Sequence, residues 1–262
     1  MSRLAGKVAV VTGAGRGTGR VHCERMAQEG ADVIALDTVE LDGTAGAVEV
    51  HGRRCVALRA DVRDLDALTE AVTHGVAELG RLDIVVANAG IHATGVPAWE
   101  ITEDAWQSTL DVNLTGAWHT VKAVIPHFGA DGGSIIIISS TNGLRGTANT
   151  ADYTASKHAV VGLGRTLANE LGQQRIRVNT VFPGAVGTAM VLNPATFARL
   201  CPGVENPTSE DAAKVLAARN LLPVGWVDPV DVANAVVFLA SDEARYITAA
   251  QIVVDAGLTQ KA

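Results

Sequence analysis

The chain has 262 residues, 48% of them apolar, and 28 acidic against 21 basic side chains give a formal charge of −7. Lys and Arg are scattered without a basic patch, which argues against a nucleic-acid surface, and no apolar run is long enough to span a membrane. The three cysteines, Cys23, Cys55 and Cys201, lack C-x-x-C or zinc-ligand spacing, so disulfides and a metal knot are not expected and a reducing cytoplasm is.

Taken in chain order, short runs rich in Val, Ile and Ala recur, each followed by a helix-length segment. They are KVAVVT from Lys7, DVIALD from Asp32, CVALRAD from Cys55, LDIVVANAG from Leu82, SIIIISS from Ser134, IRVNTVFPG from Ile176 and QIVVDAG from Gln251. The first run ends in a glycine loop and not at a cleavage site, so it reads as a strand and not a signal peptide. The runs are apolar throughout instead of alternating, the pattern of parallel strands covered on both faces. Strand, helix, strand repeated in this way predicts α/β architecture: one doubly wound Rossmann-fold domain over residues 1–262, with a seven-stranded parallel sheet and helices on both faces. Ligands of such sheets bind beyond the carboxyl ends of the strands. No linker, repeat or low-complexity tract divides the chain, and the seven histidines form no H-E-x-x-H pattern, so no metal is assigned.

After the first strand comes TGAGRGTGR, Thr12 to Arg20. Gly13, Gly17 and Gly19 would let the chain turn tightly and bring backbone amides, with the positive end of the next helix, against a pyrophosphate. Glycines also serve ordinary turns, but a glycine-rich loop between a first strand and a helix favours dinucleotide binding. Asp37 ends the second strand, where a carboxylate can accept hydrogen bonds from the adenosine ribose and repel a 2′-phosphate, which favours NAD over NADP. The competing reading is a solvated Asp capping the following helix. Arg16 pulls towards NADP, because a guanidinium beside the loop could pair with that phosphate.

Further on, YTASK places Tyr153 and Lys157 four residues apart, on one face of a helix. A nearby ammonium would stabilise a phenolate and lower the phenol's ordinary pKa of about 10, making a proton donor or acceptor suited to a carbonyl/alcohol couple. Taken alone, such a pair is more often a solvated helix face.

The ordered set of motifs resembles the short-chain dehydrogenase/reductase family over essentially the whole chain. It comprises T-G-x-x-x-G-x-G at Thr12 to Gly19, Asp61-Val62, ANAG at Ala87 to Gly90, Asn113 in DVNLTG, Ser140 in ISST, Y-x-x-x-K at Tyr153 and Lys157, and PGAVGT at Pro183 to Thr188. The resemblance implies that Tyr153 is the general acid/base, that Ser140 bonds the substrate oxygen, and that Lys157 holds the nicotinamide ribose and lowers the tyrosine pKa. Asn113 would distort its helix and hold a water of a proton relay. Adjacent strand residues face opposite ways, so only one of Ser139 and Ser140 can meet the tyrosine, and the family spacing selects Ser140. The cofactor would be held by Gly13, Arg16, Gly17, Thr18 and Gly19, by Asp37, by Asp61 and Val62 at the adenine, and by Asn88, Ala89 and Gly90 along the cleft. Tyr153, Lys157, Pro183, Gly184, Val186 and Thr188 complete the set, the last two gripping the carboxamide. Two departures stand out: ANAG replaces the commoner N-N-A-G, which is expected to weaken one strand-end hydrogen bond, and Thr18 replaces an aliphatic residue, which is expected to alter packing of the first helix.

In this family the segment at 188–228 folds over the substrate. Here it contains Met190, Val191, Leu192, Phe197, Leu200, Leu221, Leu222 and Trp226, an apolar set that suits an apolar substrate or packing on the sheet or a neighbouring subunit. His92, Trp99, Leu144 and Arg145 follow strand ends and are further candidates for the pocket wall. Phrases such as ELGRLDIVVANAGI, DVNLTGAWHTVKAVIP, ENPTSEDA and FLASDEARYIT resemble the carveol-dehydrogenase-like branch, often linked to the redox peptide mycofactocin. Members of that branch carry an insertion after the second strand that helps bury NAD; the run from Asp37 to Asp61 lacks it, so NAD is expected to exchange freely. The expected activity is NAD-dependent interconversion of a secondary alcohol and a ketone on an alicyclic, terpenoid-like or steroid-like molecule. The alternatives are an NADPH-dependent 3-oxoacyl-thioester reductase and a non-catalytic dinucleotide sensor. The resemblance also implies a homotetramer, built on helices beginning near Thr102 and Ala151 and on the last strand.

Overall fold

Residues 2–92 and 95–261 are described by the structure, a computed structural model. Among them the seven apolar runs form strands β1 Val8–Thr12, β2 Asp32–Asp37, β3 Cys55–Arg59, β4 Ile84–Ala87, β5 Gly133–Ile138, β6 Ile176–Pro183 and β7 Gln251–Val254. They pair in parallel throughout, in one sheet of order β3-β2-β1-β4-β5-β6-β7. The order reverses between β1 and β4, so the loops after these two strands flank the crevice where such sheets bind ligands.

Alternate residues of the inner strands feed two separate cores. Val8, Val10, Val85, Ile135 and Ile137 pack beneath Leu68 and Val72 of α3 (Leu65–Leu79), Val121 and Val124 of α5 (Gly116–Val124) and Val160 and Leu167 of α6 (Ala151–Leu171). Ala9, Val11, Val33, Val86 and Ile136 meet Cys23 and Met26 of α1 (Gly17–Gln28), Val48 of α2 (Asp42–Glu49) and Val232 and Val236 of α9 (Pro229–Ala240). Burial on both faces is why the inner strands are apolar without alternation, the edge strands β3 and β7 being only partly buried, and the helices on each face make the sheet doubly wound. Cap residues fix the helix starts that matter for the site. The Thr102 side chain accepts from Ala105 N at the head of α4 (Glu103–Leu110), and Thr208 and Asp211 form a reciprocal capping box on α8 (Ser209–Arg219).

One buried group in this frame carries a consequence for stability. His22 of α1 is fully buried, and neither ring nitrogen has a hydrogen-bond partner among the described residues. Burial disfavours the imidazolium and lowers its pKa from 6.5 to about 4. Above pH 6.5 the ring is neutral in both folded and unfolded chains. As pH falls below 6.5 the unfolded chain takes up the proton first, so stability drops by roughly 3 kcal/mol by the time the folded value is reached. His22→Leu is therefore expected to flatten the loss of stability between pH 6.5 and 4 while leaving neutral stability equal or higher. Urea midpoints measured at pH 7 and pH 5 check this; parallel losses in the two proteins would mean that other groups drive the acid sensitivity.

Candidate active site

The glycine loop lies directly beyond β1. Gly13 has φ +67, and a Cβ there would come 2.8 Å from the Ala89 Cα; a Cβ on Gly19 would overlap the Gly13 carbonyl. The loop thus closes on itself and on the end of β4 only because both positions lack side chains. Arg16 precedes α1 in extended conformation without a side-chain cap, so among the described residues no side chain caps the first-turn amides of the helix. Its own side chain is exposed and makes no ion pair among the described residues. The Thr188 Cγ2 faces Gly17 across the crevice, 3.7 Å from where a Cβ would stand.

Asp37 sits under this loop. Its Oδ2 accepts from Gly15 N at 2.8 Å, and Oδ1 accepts from Thr38 N at 2.7 Å and Val39 N at 3.3 Å. It does not cap α2, which is preceded by Leu41, so the capping alternative drops out. Each carboxylate oxygen has two acceptor sites; Oδ1 is filled by these amides and the Thr38 hydroxyl, and Oδ2 keeps one site for a ribose hydroxyl.

Asn88 ties the strand ends together. Its Nδ2 donates to Thr12 O at 2.9 Å and Gly13 O at 3.2 Å, its amide donates to Thr12 Oγ1 at 3.2 Å, and its Oδ1 accepts from Thr18 Oγ1 at 3.1 Å. Thr18 therefore does more than alter packing: its hydroxyl links α1 to the end of β4. Asp61 departs from expectation in another way. Arg63 engages its carboxylate at 2.6 Å and holds it below the usual carboxylate range. The Val62 side chain is buried against α5, and its carbonyl accepts from His119 Nδ1 at 2.9 Å. Of this pair, the Val62 N–H is the group left without a protein partner among the described residues, so an adenine contact would fall to that amide more readily than to the Asp61 carboxylate.

The helix containing Asn113 is interrupted by a π-helical turn, Asp111–Thr115, between α4 and α5. The Asn113 Oδ1 accepts from Ile91 N at 2.8 Å, and Nδ2 donates to Ile91 O at 3.0 Å and to Ser156 Oγ at 3.1 Å. The distorted turn thus clamps the chain just after Gly90 to α6. A Cβ on Gly90 would lie 3.3 Å from Asn113 Oδ1 and 3.5 Å from Lys157 Nζ, so these groups converge on the end of β4.

Ser140 lies just beyond β5, its Oγ accepting from Asn142 N at 3.2 Å, and it is the polar side chain that acts on the Tyr153 phenol. Ser139 faces away and donates to Lys157 O at 2.9 Å, so strand alternation separates the two serines as expected. Lys157 is buried, donates from Nζ to Ile138 O at 2.9 Å, and lies 5.6 Å from the centre of the Tyr153 ring. Burial lowers its pKa from 10.5 to about 8. The Tyr153 phenol is pushed above its ordinary 10 by burial, with the Ser140 hydrogen bond pulling the other way. In the chain alone burial is the larger influence on the phenol, opposite in sign to the lowering expected from Lys157. The Tyr153 ring also faces His92 at 5.0 Å between centroids.

Beyond β6, Gly184 N donates to Val254 O at 2.9 Å, and Val186 is buried and bridges to Val227. Residues 188–226 thus leave and rejoin the fold at one neck. Within them lie α7 (Pro194–Leu200) and α8; Met190, Leu221 and Leu222 are exposed, while Phe197, Leu200 and Trp226 are half-buried. Of the other pocket candidates, Leu144 and Arg145 follow the Ser140 turn, whereas Trp99 is 85% exposed on a separate turn. Among the described residues there is no cluster of three or more metal-ligating side chains, and no helix is long and apolar enough to cross a membrane.

A family profile described as "Enoyl-(Acyl carrier protein) reductase" matches residues 13–259. The (-)-trans-carveol dehydrogenase of Rhodococcus erythropolis is 48% identical over 277 aligned positions, covering 100% of both chains. The chain belongs to the short-chain dehydrogenase/reductase family. A solved carveol dehydrogenase from Mycobacterium avium in complex with NAD superposes with a TM-score of 0.98, at 48% identity and 100% coverage of both chains. Trans-4-hydroxycyclohexanecarboxylate dehydrogenase of Sinomonas cyclohexanicum is 38% identical, covering 98% of this chain and 94% of its own. In this short-chain dehydrogenase/reductase, two supporting residues escape a reading by motif. Gly15 packs against Val39 and donates to Asp37, and Thr12 Oγ1 accepts from both Asn88 N and Ala89 N. Thr12 begins the motif as written, and the G-x-G spacing of Gly13 and Gly15 was the available signal for the other.

Proposed function

We propose that this chain is an NAD-dependent dehydrogenase that interconverts a secondary alcohol and a ketone on an apolar, alicyclic substrate. The carrying observation is the convergence of Ser140, Tyr153, Lys157 and Asn113 beside a glycine loop with Asp37 beneath it. The cradle fits a dinucleotide: the loop approaches β4 only through glycines, helix α1 has an uncapped start, and Asp37 keeps acceptor capacity at the end of β2. NAD, when bound, supplies the hydride acceptor for alcohol oxidation. Gly13, Arg16, Gly17, Thr18, Gly19, Asp37, Val62 and Asn88 to Gly90 hold it, with Pro183 to Thr188 closing the nicotinamide end.

The chain's own part is to position the substrate and move one proton. Ser140 fixes the substrate oxygen, and Tyr153 Oη gives the proton to a ketone oxygen or takes it from an alcohol. Lys157 keeps a positive charge beside the phenol, and Asn113 holds the strand end and α6 in register for proton exchange with water. The segment 188–228 folds over the substrate, and its Met190, Leu221 and Leu222 suit an apolar ring. A 3-oxoacyl-thioester reductase using NADPH is the rival reading, and Asp37 opposes it. Nicotinamide absorbance with NAD or NADP and a panel of cyclic secondary alcohols tests the proposal; turnover only of 3-oxoacyl thioesters with NADPH would reject it.

The cofactor exchanges freely in this reading. Only α2 lies between Asp37 and β3, and the alignment with the Rhodococcus enzyme runs to 277 positions against 262 residues here, so that relative carries residues this chain lacks. Gel filtration is expected to strip the nucleotide; stoichiometric retained NAD would refute free exchange. The chain assembles as a cytoplasmic homotetramer through α4, α6 and β7, and sedimentation equilibrium is expected to return four chains, with a monomer overturning it.

A further inference from the structure

The residues after β7 reach two separate parts of the chain, the stretch 218–222 and Arg145. Asp255 is buried and organises a turn: Oδ1 accepts from Gly257 N at 2.8 Å, and Oδ2 accepts from both Thr259 N and Thr259 Oγ1 at 2.8 Å. Ala256 and Gly257 have φ +54 and +82. A left-handed Ala costs about 1 kcal/mol and persists only where its surroundings enforce it. This turn aims the Ala256 carbonyl at Leu221 N and Leu222 N, accepting from each at 3.0 Å. Gly257 lies so close to Leu221 that a Cβ would stand 2.6 Å from the leucine Cβ.

Two longer ties extend from the same turn. Lys261 Nζ donates to Ala218 O at 2.6 Å and Asn220 O at 2.9 Å, carbonyls at the end of α8 that lack helical partners and carry the negative end of its dipole. Arg145, two residues beyond the Ser140 turn, donates from Nη1 to Leu258 O at 3.3 Å. Val186 and Val227 join the two ends of the segment 188–226, and the turn after β7 adds these ties at 218–222.

We infer that the turn Asp255–Lys261 is a positioning element: it fixes the backbone of Leu221 and Leu222 and, through Leu258, is itself tied to Arg145 beyond the Ser140 loop, and so sets how the substrate is held, without touching the reacting atoms. This rests on the reading of 188–228 as the segment over the substrate. The competing possibility is that the turn is ordinary packing after the last strand, with no effect on substrate.

Lys261→Met and Asp255→Ala, with Lys261→Arg as the conservative control, separate the two. In the full chain, both variants should raise KM for a cyclic secondary alcohol by about threefold to tenfold, the net worth of one ordinary hydrogen bond. The expected kcat stays within about twofold, because the interaction is with ground state and transition state alike. NAD affinity should be unchanged, and Lys261→Arg should restore KM. Hydrogen exchange on the free protein should speed up at 209–222 and not in α6. Unchanged exchange at 209–222 would overturn the tether, and faster exchange with wild-type KM would overturn its role in substrate positioning. A wild-type chain that turns over no alcohol would sink the functional reading instead, and exchange would then decide the tether by itself.

Discussion

Tyr153→Phe is expected to lower kcat for alcohol oxidation by ~10²–10⁴, the usual worth of a positioned acid/base, while NAD binds as before. The substitution removes one hydroxyl, leaving the ring beside His92 and the Lys157 Nζ bonded to Ile138 O. Loss of rate with intact cofactor affinity therefore isolates proton transfer from folding. Since burial holds the phenol above its ordinary value, the proton stays on Tyr153 at neutral pH. That form donates to a ketone; oxidation needs the ionised form. The wild-type oxidation rate is accordingly expected to rise by about tenfold per pH unit across the neutral range and ketone reduction not to, while residual oxidation in the Phe variant is flat. A Tyr153→Phe protein with full activity would assign the acid/base elsewhere.

The inner strands could be read from sequence because they are buried on both faces, and a run such as IVVA at Ile84–Ala87 has no other stable home than a sheet covered twice, whereas the edge strands β3 and β7 are only partly buried and were legible from their short Val- and Ile-rich runs. The starts of α4 and α6 were equally legible, at Thr102 and Ala151, and strand alternation separated Ser139 from Ser140. The sign of the Tyr153 shift was not legible. Spacing of i and i+4 brings phenol and ammonium together, but the balance between charge and desolvation depends on burial, which the sequence does not display. Arg63 capturing Asp61 is likewise a rim contact between two charged loop residues, indistinguishable in sequence from a solvated pair. The turn after β7 was hidden for a third reason: Ala256 is left-handed, a conformation that its residue type does not announce.

Asp37→Asn is expected to shift the preference between NAD and NADP by ~10²–10³ towards NADP. The isosteric amide is chosen because the carboxylate has two jobs. It accepts from Gly15 N, Thr38 N and Val39 N, and it presents negative charge where a 2′-phosphate would come. The Asn Oδ1 can still accept from one side of the loop, so the Gly15 brace survives in part, whereas Asp37→Ala would confound charge with collapse of the loop. A like charge at roughly 4–6 Å and an effective dielectric of ~20 is worth about 3–4 kcal/mol, equivalent to ~10²–10³ in relative affinity. The exposed Arg16 guanidinium has no ion-pair partner among the described residues and is free to meet the phosphate once the repulsion is gone. The check is kcat/KM with each cofactor at saturating alcohol, in wild type and Asp37→Asn. A variant that loses NAD activity without gaining on NADP would mean that Asp37 acts through the Gly15 brace and the ribose hydrogen bonds, and that selectivity against the phosphate comes from the shape of the loop between β2 and α2.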